Sequence, residues 1–216
     1  NESTPGSMLG DMDMEPSVVS SIDFDGSECY SALSDTSGTL LFYAGRGLIL
    51  RPDGSTLYMP FNTYNNDDVT QGPLILPRTG NSEFFDVFMI EAAPDSDLLD
   101  HVLPRCVHLV VDMTAEAGQG GVVLDDAFGY NLTEKLTGTP HANGTDYWVL
   151  LHEWQSDKFL AYQVGAGLDT VPVISETGAV HASSNAFCPY NRNFQGEMKM
   201  SYRGDRIALC TQNAPC

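Results

Sequence analysis

The stretch Thr139-Pro-His-Ala-Asn-Gly-Thr-Asp-Tyr-Trp-Val-Leu-Leu-His-Glu153 decides the fold class. It places a polar turn, with Asn143-Gly144 at its tip, ahead of a run rich in aromatic and aliphatic side chains. Asn-Gly between extended segments is the strongest short-range signal for a β-hairpin, because both residues tolerate positive φ. The stretch therefore predicts a two-residue turn, with positive φ at Asn143 and Gly144, that leads into a buried strand containing Trp148.

Three further short strands are predicted around this hairpin. Glu134–Thr137 precedes the turn, and Phe159–Val164 and Val171–Ile174 follow the apolar run after polar and glycine-containing breaks. Four short strands in about fifty residues have the size and cadence of one propeller blade. The hairpin is thus predicted to be part of a four-stranded meander.

The same unit, an extended run followed by a polar turn with glycine and an apolar strand, recurs along the chain. Its copies align on Gly38, Gly80, Gly144 and Gly204, at intervals of 42, 64 and 60 residues. Helical periodicity is weak throughout, and its best candidate is a short turn at residues 95–101. The sequence therefore predicts an all-β protein, a β-propeller-like array of antiparallel meander blades.

The last unit is predicted to be incomplete. Residues 1–16 lack periodicity and are interpreted as a flexible N-terminal segment, and residues 17–216 as one propeller-like domain of about four blade units. Only residues 205–210 and a short tail follow Gly204, so the fourth unit is predicted to have about two of its expected four strands. An open sheet edge promotes association, so we expect a longer polypeptide or packing against other copies, with Val18–Phe24 able to cover only part of the edge.

The charge balance limits the classes of partner. Ten Lys and Arg residues stand against 29 Asp and Glu residues, which gives a formal net charge of −19. Such an acidic chain is a poor ligand for nucleic-acid phosphates and for anionic lipid surfaces. No apolar run approaches the roughly 20 residues of a membrane span, so neither nucleic-acid binding nor direct membrane insertion is predicted.

The five cysteines do not predict a metal site. They lack the paired C-x-x-C spacing of zinc sites, and Cys210 and Cys216 are close enough for a local disulfide in an oxidising compartment. The loop Asn62–Asp68 offers hard oxygen ligands for Ca²⁺, with Asp67 and Asp68 as the candidates. It lacks the EF-hand spacing, so a solvated acidic loop is the favoured interpretation and no cofactor is predicted.

No catalytic residue is predicted. His152-Glu153 lacks the second histidine of H-E-x-x-H, and the chain contains no G-x-S-x-G. Cys106 and His108 have the order of a nucleophile and its base, but residues two apart in a strand share a face in any packed sheet, and we favour a structural role. For His141, which lies in the polar turn, we favour a turn-stabilising hydrogen bond over ligand binding at a channel.

Several blocks of the chain, in order from about residue 28 to 209, resemble a known family. They are Ser34-Asp-Thr-Ser-Gly-Thr-Leu-Leu-Phe-Tyr43, Gly72-Pro-Leu-Ile-Leu-Pro77, His108-Leu-Val-Val-Asp-Met113, Glu134-Lys-Leu-Thr137, His141-Ala-Asn-Gly-Thr-Asp-Tyr-Trp-Val149 and Thr170-Val-Pro-Val-Ile-Ser175. These blocks resemble the WD40-like β-propeller region of large extracellular Bacteroidota proteins, which often also carry PKD, gliding-motility-associated or type IX secretion sorting modules. Ser201-Tyr-Arg-Gly204 departs from the Ser-Pro-Asp-Gly usual there.

The resemblance implies a secreted or cell-surface propeller and brings no catalytic motif. We therefore predict a non-enzymatic module for adhesion, matrix or appendage structure, with protein or glycan partners that include other copies of the chain. The alternative is a carbohydrate-active or other hydrolytic propeller with an acidic central-channel site. The 29 Asp and Glu residues leave a catalytic carboxylate pair open, because spacing in sequence does not report the distance between two carboxylates.

Overall fold

The computed structural model describes residues 29–45, 47–59, 69–91, 104–181 and 194–211 of the protein. Strands take up 58% of these residues and helix 3%, so the predicted all-β class is confirmed. The predicted N-terminal segment 1–16, the strand Val18–Phe24 and the turn at 95–101 lie outside the described ranges. The proposed disulfide partner Cys216 also lies outside them.

The strands form four antiparallel meander sheets, here called blades. Blade 1 contains β1 (Tyr30–Ser34), β2 (Leu40–Gly45), β3 (Leu48–Leu50) and β4 (Thr56–Tyr58). Blade 2 contains β5 (Leu74–Pro77), β6 (Phe84–Glu91), β7 (Arg105–Asp112) and β8 (Gly121–Phe128). Blade 3 contains β9 (Leu132–Pro140), β10 (Tyr147–Glu153), β11 (Ser156–Val164) and β12 (Val173–His181), and blade 4 contains β13 (Met198–Met200) and β14 (Ile207–Leu209).

The blades are arranged as in a propeller that is not closed. The first strands of consecutive blades contact one another, in the order β1, β5, β9 and β13. Side chains of β6 alternate between two cores: Val87 packs with blade 1, and Phe88 packs with blade 3. Because blade 4 has two strands in the described part of the chain, the predicted incomplete propeller-like fold is confirmed.

The glycine alignment of the sequence is also confirmed. Gly38, Gly80, Gly144 and Gly204 each lie in the turn between the first and second strands of a blade. All four have positive φ, between 69° and 84°. Glycine adopts this left-handed conformation without the steric cost of a Cβ atom, so each blade begins with a turn that its local sequence specifies.

The turn at Asn143-Gly144 differs from the prediction. Only Gly144 has positive φ, and the loop is closed by the N–H of His141, which donates to the C=O of Asp146 at 2.8 Å. The Asn143 Oδ1 accepts hydrogen bonds from the N–H groups of Thr145 and Asp146, both at 3.0 Å. The prediction of a two-residue turn is wrong, because these bonds stabilise a longer loop in which Asn143 keeps negative φ.

Replacement of Gly144 by valine should destabilise the protein by at least about 1 kcal/mol, because a β-branched side chain is strained at positive φ. A Cβ atom at Gly144 would meet no atom within 4 Å, so the expected loss comes from the backbone alone. Gly167 is equally open but lies outside the left-handed region, and Gly167→Val is therefore the matched control. Urea denaturation of the two variants checks this; equal stabilities would contradict it.

The predicted burial of Trp148 is wrong. Trp148 is half-buried, whereas its neighbour Val149 is fully buried in the core between blades 2 and 3. Successive side chains of a strand point to opposite faces, so Trp148 lies on the face of β10 that is turned away from this core. Its ring packs against His141, with 5.1 Å between the ring centroids, and the large loss of stability expected of a buried tryptophan no longer applies.

Arg51 joins blade 1 to the connection between β7 and β8. This connection contains a short turn, α1 (Ala115–Gly118), whose Glu116 and Ala117 have positive φ. Arg51 donates hydrogen bonds to the C=O groups of Gln119 and Gly120, and its Nη2 lies 2.6 Å from Glu116 Oε2. These contacts hold an unfavourable backbone conformation in place.

Within the described residues, no helix is long and apolar enough to cross a membrane.

Arg51→Ala should therefore reduce the free energy of unfolding by about 1–2 kcal/mol, since it removes several charge-assisted hydrogen bonds of a side chain that is only 14% exposed. Lys158→Ala is the control, because Lys158 is more exposed and its Nζ lies 3.9 Å from the carboxylates of Glu153 and Glu176. Exposed pairs of this kind contribute about 0–1 kcal/mol. Thermal denaturation distinguishes the variants, and a harmless Arg51→Ala would contradict the proposed role.

Candidate functional site: the groove between blades 3 and 4

A groove of about 690 Å³ lies between blade 3 and the β13–β14 hairpin. His152, Phe159 and His181 form its floor on blade 3. Met200, Ile207 and Leu209 of the hairpin form the opposite wall. The volume lies within the range of about 300–1,000 Å³ that is usual for ligand pockets.

The overhanging wall of the groove comes from a large bulge in β12. Lys158 pairs with Glu176, but Ser156 pairs with His181, so residues 177–180 of β12 face a single residue of β11. Gly178 lies in this bulge with φ of 91°. The extra residues bend the strand, and Thr177, Gly178 and Ala179 line the groove.

Two stacked imidazoles lie at the floor. The ring centroids of His152 and His181 are 4.1 Å apart, with an angle of 24° between the ring planes. The two side chains are 1% and 5% exposed, and the Nδ1 atom of each has no hydrogen-bond partner among the described residues. Burial lowers the pKa of His152 to about 4, helped by the nearby His181 and Lys135, and burial also lowers the pKa of His181. Both rings are therefore neutral at neutral pH.

Lys135 of β9 lies near the two histidines and contacts the segment that leads into β13. Its Nζ donates hydrogen bonds to the C=O groups of Phe194 and Gln195, at 3.0 and 3.1 Å. Burial lowers the pKa of Lys135 to about 8. The ammonium group thus ties β9 to the segment that leads into β13, and it fixes the position of blade 4 against blade 3.

The predicted site residues do not converge on the groove. Asp67 and Asp68, the calcium candidates, lie outside the described residues. His141 makes the expected turn hydrogen bond, since its Nδ1 accepts from the N–H of Asn143 at 3.0 Å. No group of three or more His, Cys, Asp or Glu side chains suited to a metal ion occurs in the described ranges.

Cys106 and His108 lie on one face of β7, as predicted for neighbours two residues apart, and both are buried. His108 Nε2 is 2.7 Å from Asp86 Oδ1, and the ring stacks on Phe88 with 4.7 Å between centroids. Burial raises the pKa of the Cys106 thiol well above its ordinary value. A protonated thiol without access to solvent is a poor nucleophile, so this geometry favours the structural interpretation.

Sequence reasoning did not identify the histidine pair. The sequence drew attention to His152 only as part of an unfulfilled H-E-x-x-H motif, and His181 carried no signal of its own. The hairpin between β10 and β11 places His152 opposite Phe159. The position of His181 depends on the bulge in β12, and an isolated Gly178 within a strand pattern was the only local hint of that bulge.

Comparisons with known proteins do not extend these observations. No protein-family model matches the chain, and no curated protein or solved structure gives a significant match. The four-blade architecture with an open groove is therefore the basis on which a function is proposed.

Proposed function

We propose that the protein is a non-enzymatic binding module of a secreted or cell-surface protein, which contributes to adhesion, matrix or appendage structure. The observation that carries this proposal is the groove between blades 3 and 4, where apolar side chains line an open surface over two buried, neutral imidazoles beside an incomplete sheet. A surface of this kind suits the binding of a protein or glycan better than it suits reaction chemistry. This role is the one expected if the chain is an extracellular WD40-like propeller, as predicted from its sequence blocks.

Several buried polar residues outside the groove make contacts within the fold. Asp86 and His108 are paired beneath an aromatic ring, and Cys106 is fully buried. Glu134, a carboxylate of the inner strand β9, accepts hydrogen bonds from the N–H and hydroxyl groups of Thr70. These groups stabilise contacts between strands and blades. The hydrolytic alternative stays a prediction, and the contacts of these residues do not favour it.

Binding and turnover assays on the same preparation test the proposal. The 216-residue chain is applied to glycan and protein arrays, and it is also incubated with a panel of polysaccharides. We expect saturable binding to at least one array component and no release of reducing sugar. Release of reducing sugar would support the hydrolytic alternative, and absence of binding on both arrays would contradict the binding role.

A further inference from the structure

The interface between blades 3 and 4 is only half formed in the described chain. Its inner half is closed: Met198 of β13 is fully buried, and β13 packs along β9. Farther out, the described part of blade 4 ends at β14, while blade 3 continues through β11 and β12. The groove is therefore the outward continuation of an existing interface, at the place that the third and fourth strands of blade 4 would occupy.

The open edge of β14 is ready to pair with a further strand. The N–H of Cys210 donates to Glu197 and the N–H of Ser201 donates to Arg206, so the residues at 206, 208 and 210 turn their backbone groups toward β13. Inward and outward groups alternate along an antiparallel strand, so the N–H and C=O groups of Ile207 and Leu209 point to the open edge. No described strand pairs with that edge.

The groove beside this edge suits apolar side chains. Ile207, Leu209 and Met200 line one wall, and Phe159 lies on the floor. The floor imidazoles are buried and stacked on each other, so they offer no charged group to an incoming ligand. The charged residues of the lining, Asp205 and Arg206, belong to the connection between β13 and β14. An extended strand carries side chains on alternate sides, and one side would enter this groove.

From these observations, and resting on the proposed binding role, we infer that blade 4 receives an extended segment of a partner protein, which pairs antiparallel with β14 and places alternate apolar side chains in the groove. Every strand pair of the four described sheets is antiparallel, and the proposed segment continues this pattern. Strand addition of this kind gains affinity from main-chain hydrogen bonds and specificity from the pockets for alternate side chains.

A second copy of the chain fits the site less well than a separate partner segment. In a dimer, β14 would pair antiparallel with β14 of the second copy, and the two-fold axis would be perpendicular to the joined sheet. Both copies of blade 3 would then lie over the same face of that sheet. The outer strands β11 and β12 already extend over that region. The net charge of −19 also opposes self-association.

Selection from a phage-displayed library of random ten-residue peptides, with the 216-residue chain as bait, tests the inference. We expect enriched peptides with apolar residues at alternate positions. Their binding should fall at least about tenfold for Ile207→Pro, which removes an outward N–H that makes no bond to β13. It should fall similarly for Ala179→Arg, which fills the groove from the exposed bulge.

Val171→Arg is the matched control, since Val171 is 75% exposed and does not line the groove. Circular dichroism and thermal denaturation establish that each variant is folded, and the two groove variants affect different strands, so one remains informative if the other unfolds. Peptides that bind both groove variants as tightly as the parent would overturn the inference and leave a binding role elsewhere on the surface intact. A failure to enrich any peptide, or a dimer in light scattering that only Ile207→Pro dissociates, would also overturn it.

Discussion

Phe88→Ala should lower the free energy of unfolding by about 3–5 kcal/mol, the usual range for truncation of a large buried aromatic side chain. Phe88 is fully buried between blades 2 and 3. Its ring stacks on His108, and it meets Phe128 edge to face with 5.8 Å between centroids. Removal of the ring leaves a cavity and exposes one face of the imidazole that is paired with Asp86.

Urea denaturation followed by tryptophan fluorescence measures this loss. Val123→Ala is the control, because Val123 lies on β8 of the same blade but is 55% exposed, and its truncation should change stability by no more than about 0.5 kcal/mol. A Phe88→Ala variant that lost less than about 1 kcal/mol would mean that blades 2 and 3 do not share this core.

Acidification from pH 7 to pH 5 should lower the free energy of unfolding by roughly 2 kcal/mol through His152 alone. The pKa of His152 is about 4 in the folded chain, against an ordinary value of 6.5. At a pH between these two pKa values, His152 is protonated in the unfolded chain but neutral in the folded chain. The free energy of unfolding therefore falls as the pH decreases. The lowered pKa of His181 acts in the same direction.

The variant His152→Phe isolates this effect, because phenylalanine keeps an aromatic ring beside His181 and Phe159 but has no proton to bind. We expect the difference in stability between pH 7 and pH 5 to shrink by roughly 2 kcal/mol in the variant. Carboxylates with lowered pKa, such as those of Asp35 and Asp146, lose their contribution only at lower pH, outside this range. Parallel pH profiles for parent and variant would contradict the neutral, buried state of His152.

The elements that were predictable from sequence are those specified locally. The hairpin turn of each blade depends on a glycine with positive φ and on the short polar run around it, as at Gly38 and Gly144. The run Tyr147–Leu151 was recognisable as a strand, but apolar residues occupy both of its faces. Its pattern therefore could not show that Val149 faces the core and Trp148 does not.

The contacts that position the groove are long-range, and no local pattern reports them. Arg51 reaches the turn at Glu116, 65 residues away in sequence. Lys135 binds the carbonyl of Phe194 across 59 residues. The histidine pair likewise forms only because a bulge in β12 brings His181 over His152. Each partner becomes identifiable only when the order and register of the sheets are known.

The central claim is that the four sheets are consecutive blades around a common axis, and Gln71 reports this arrangement directly. Its side-chain amide accepts hydrogen bonds from the N–H groups of Leu136 in β9 and Met198 in β13, at 3.0 and 2.8 Å. It also donates to the C=O of Met198 at 2.7 Å. One side chain, just ahead of β5, thus connects three blades.

Nuclear Overhauser spectroscopy on the isotope-labelled chain provides the most direct measurement. Cross-peaks from the Gln71 side-chain amide protons to the backbone amide protons of both Leu136 and Met198 are the predicted result. Contacts within a single sheet, such as those between Trp148 and Gln163 on β10 and β11, serve as the internal control. If those contacts were present while the Gln71 cross-peaks were absent, the sheets would not be consecutive blades, and the groove between blades 3 and 4 would not exist as described.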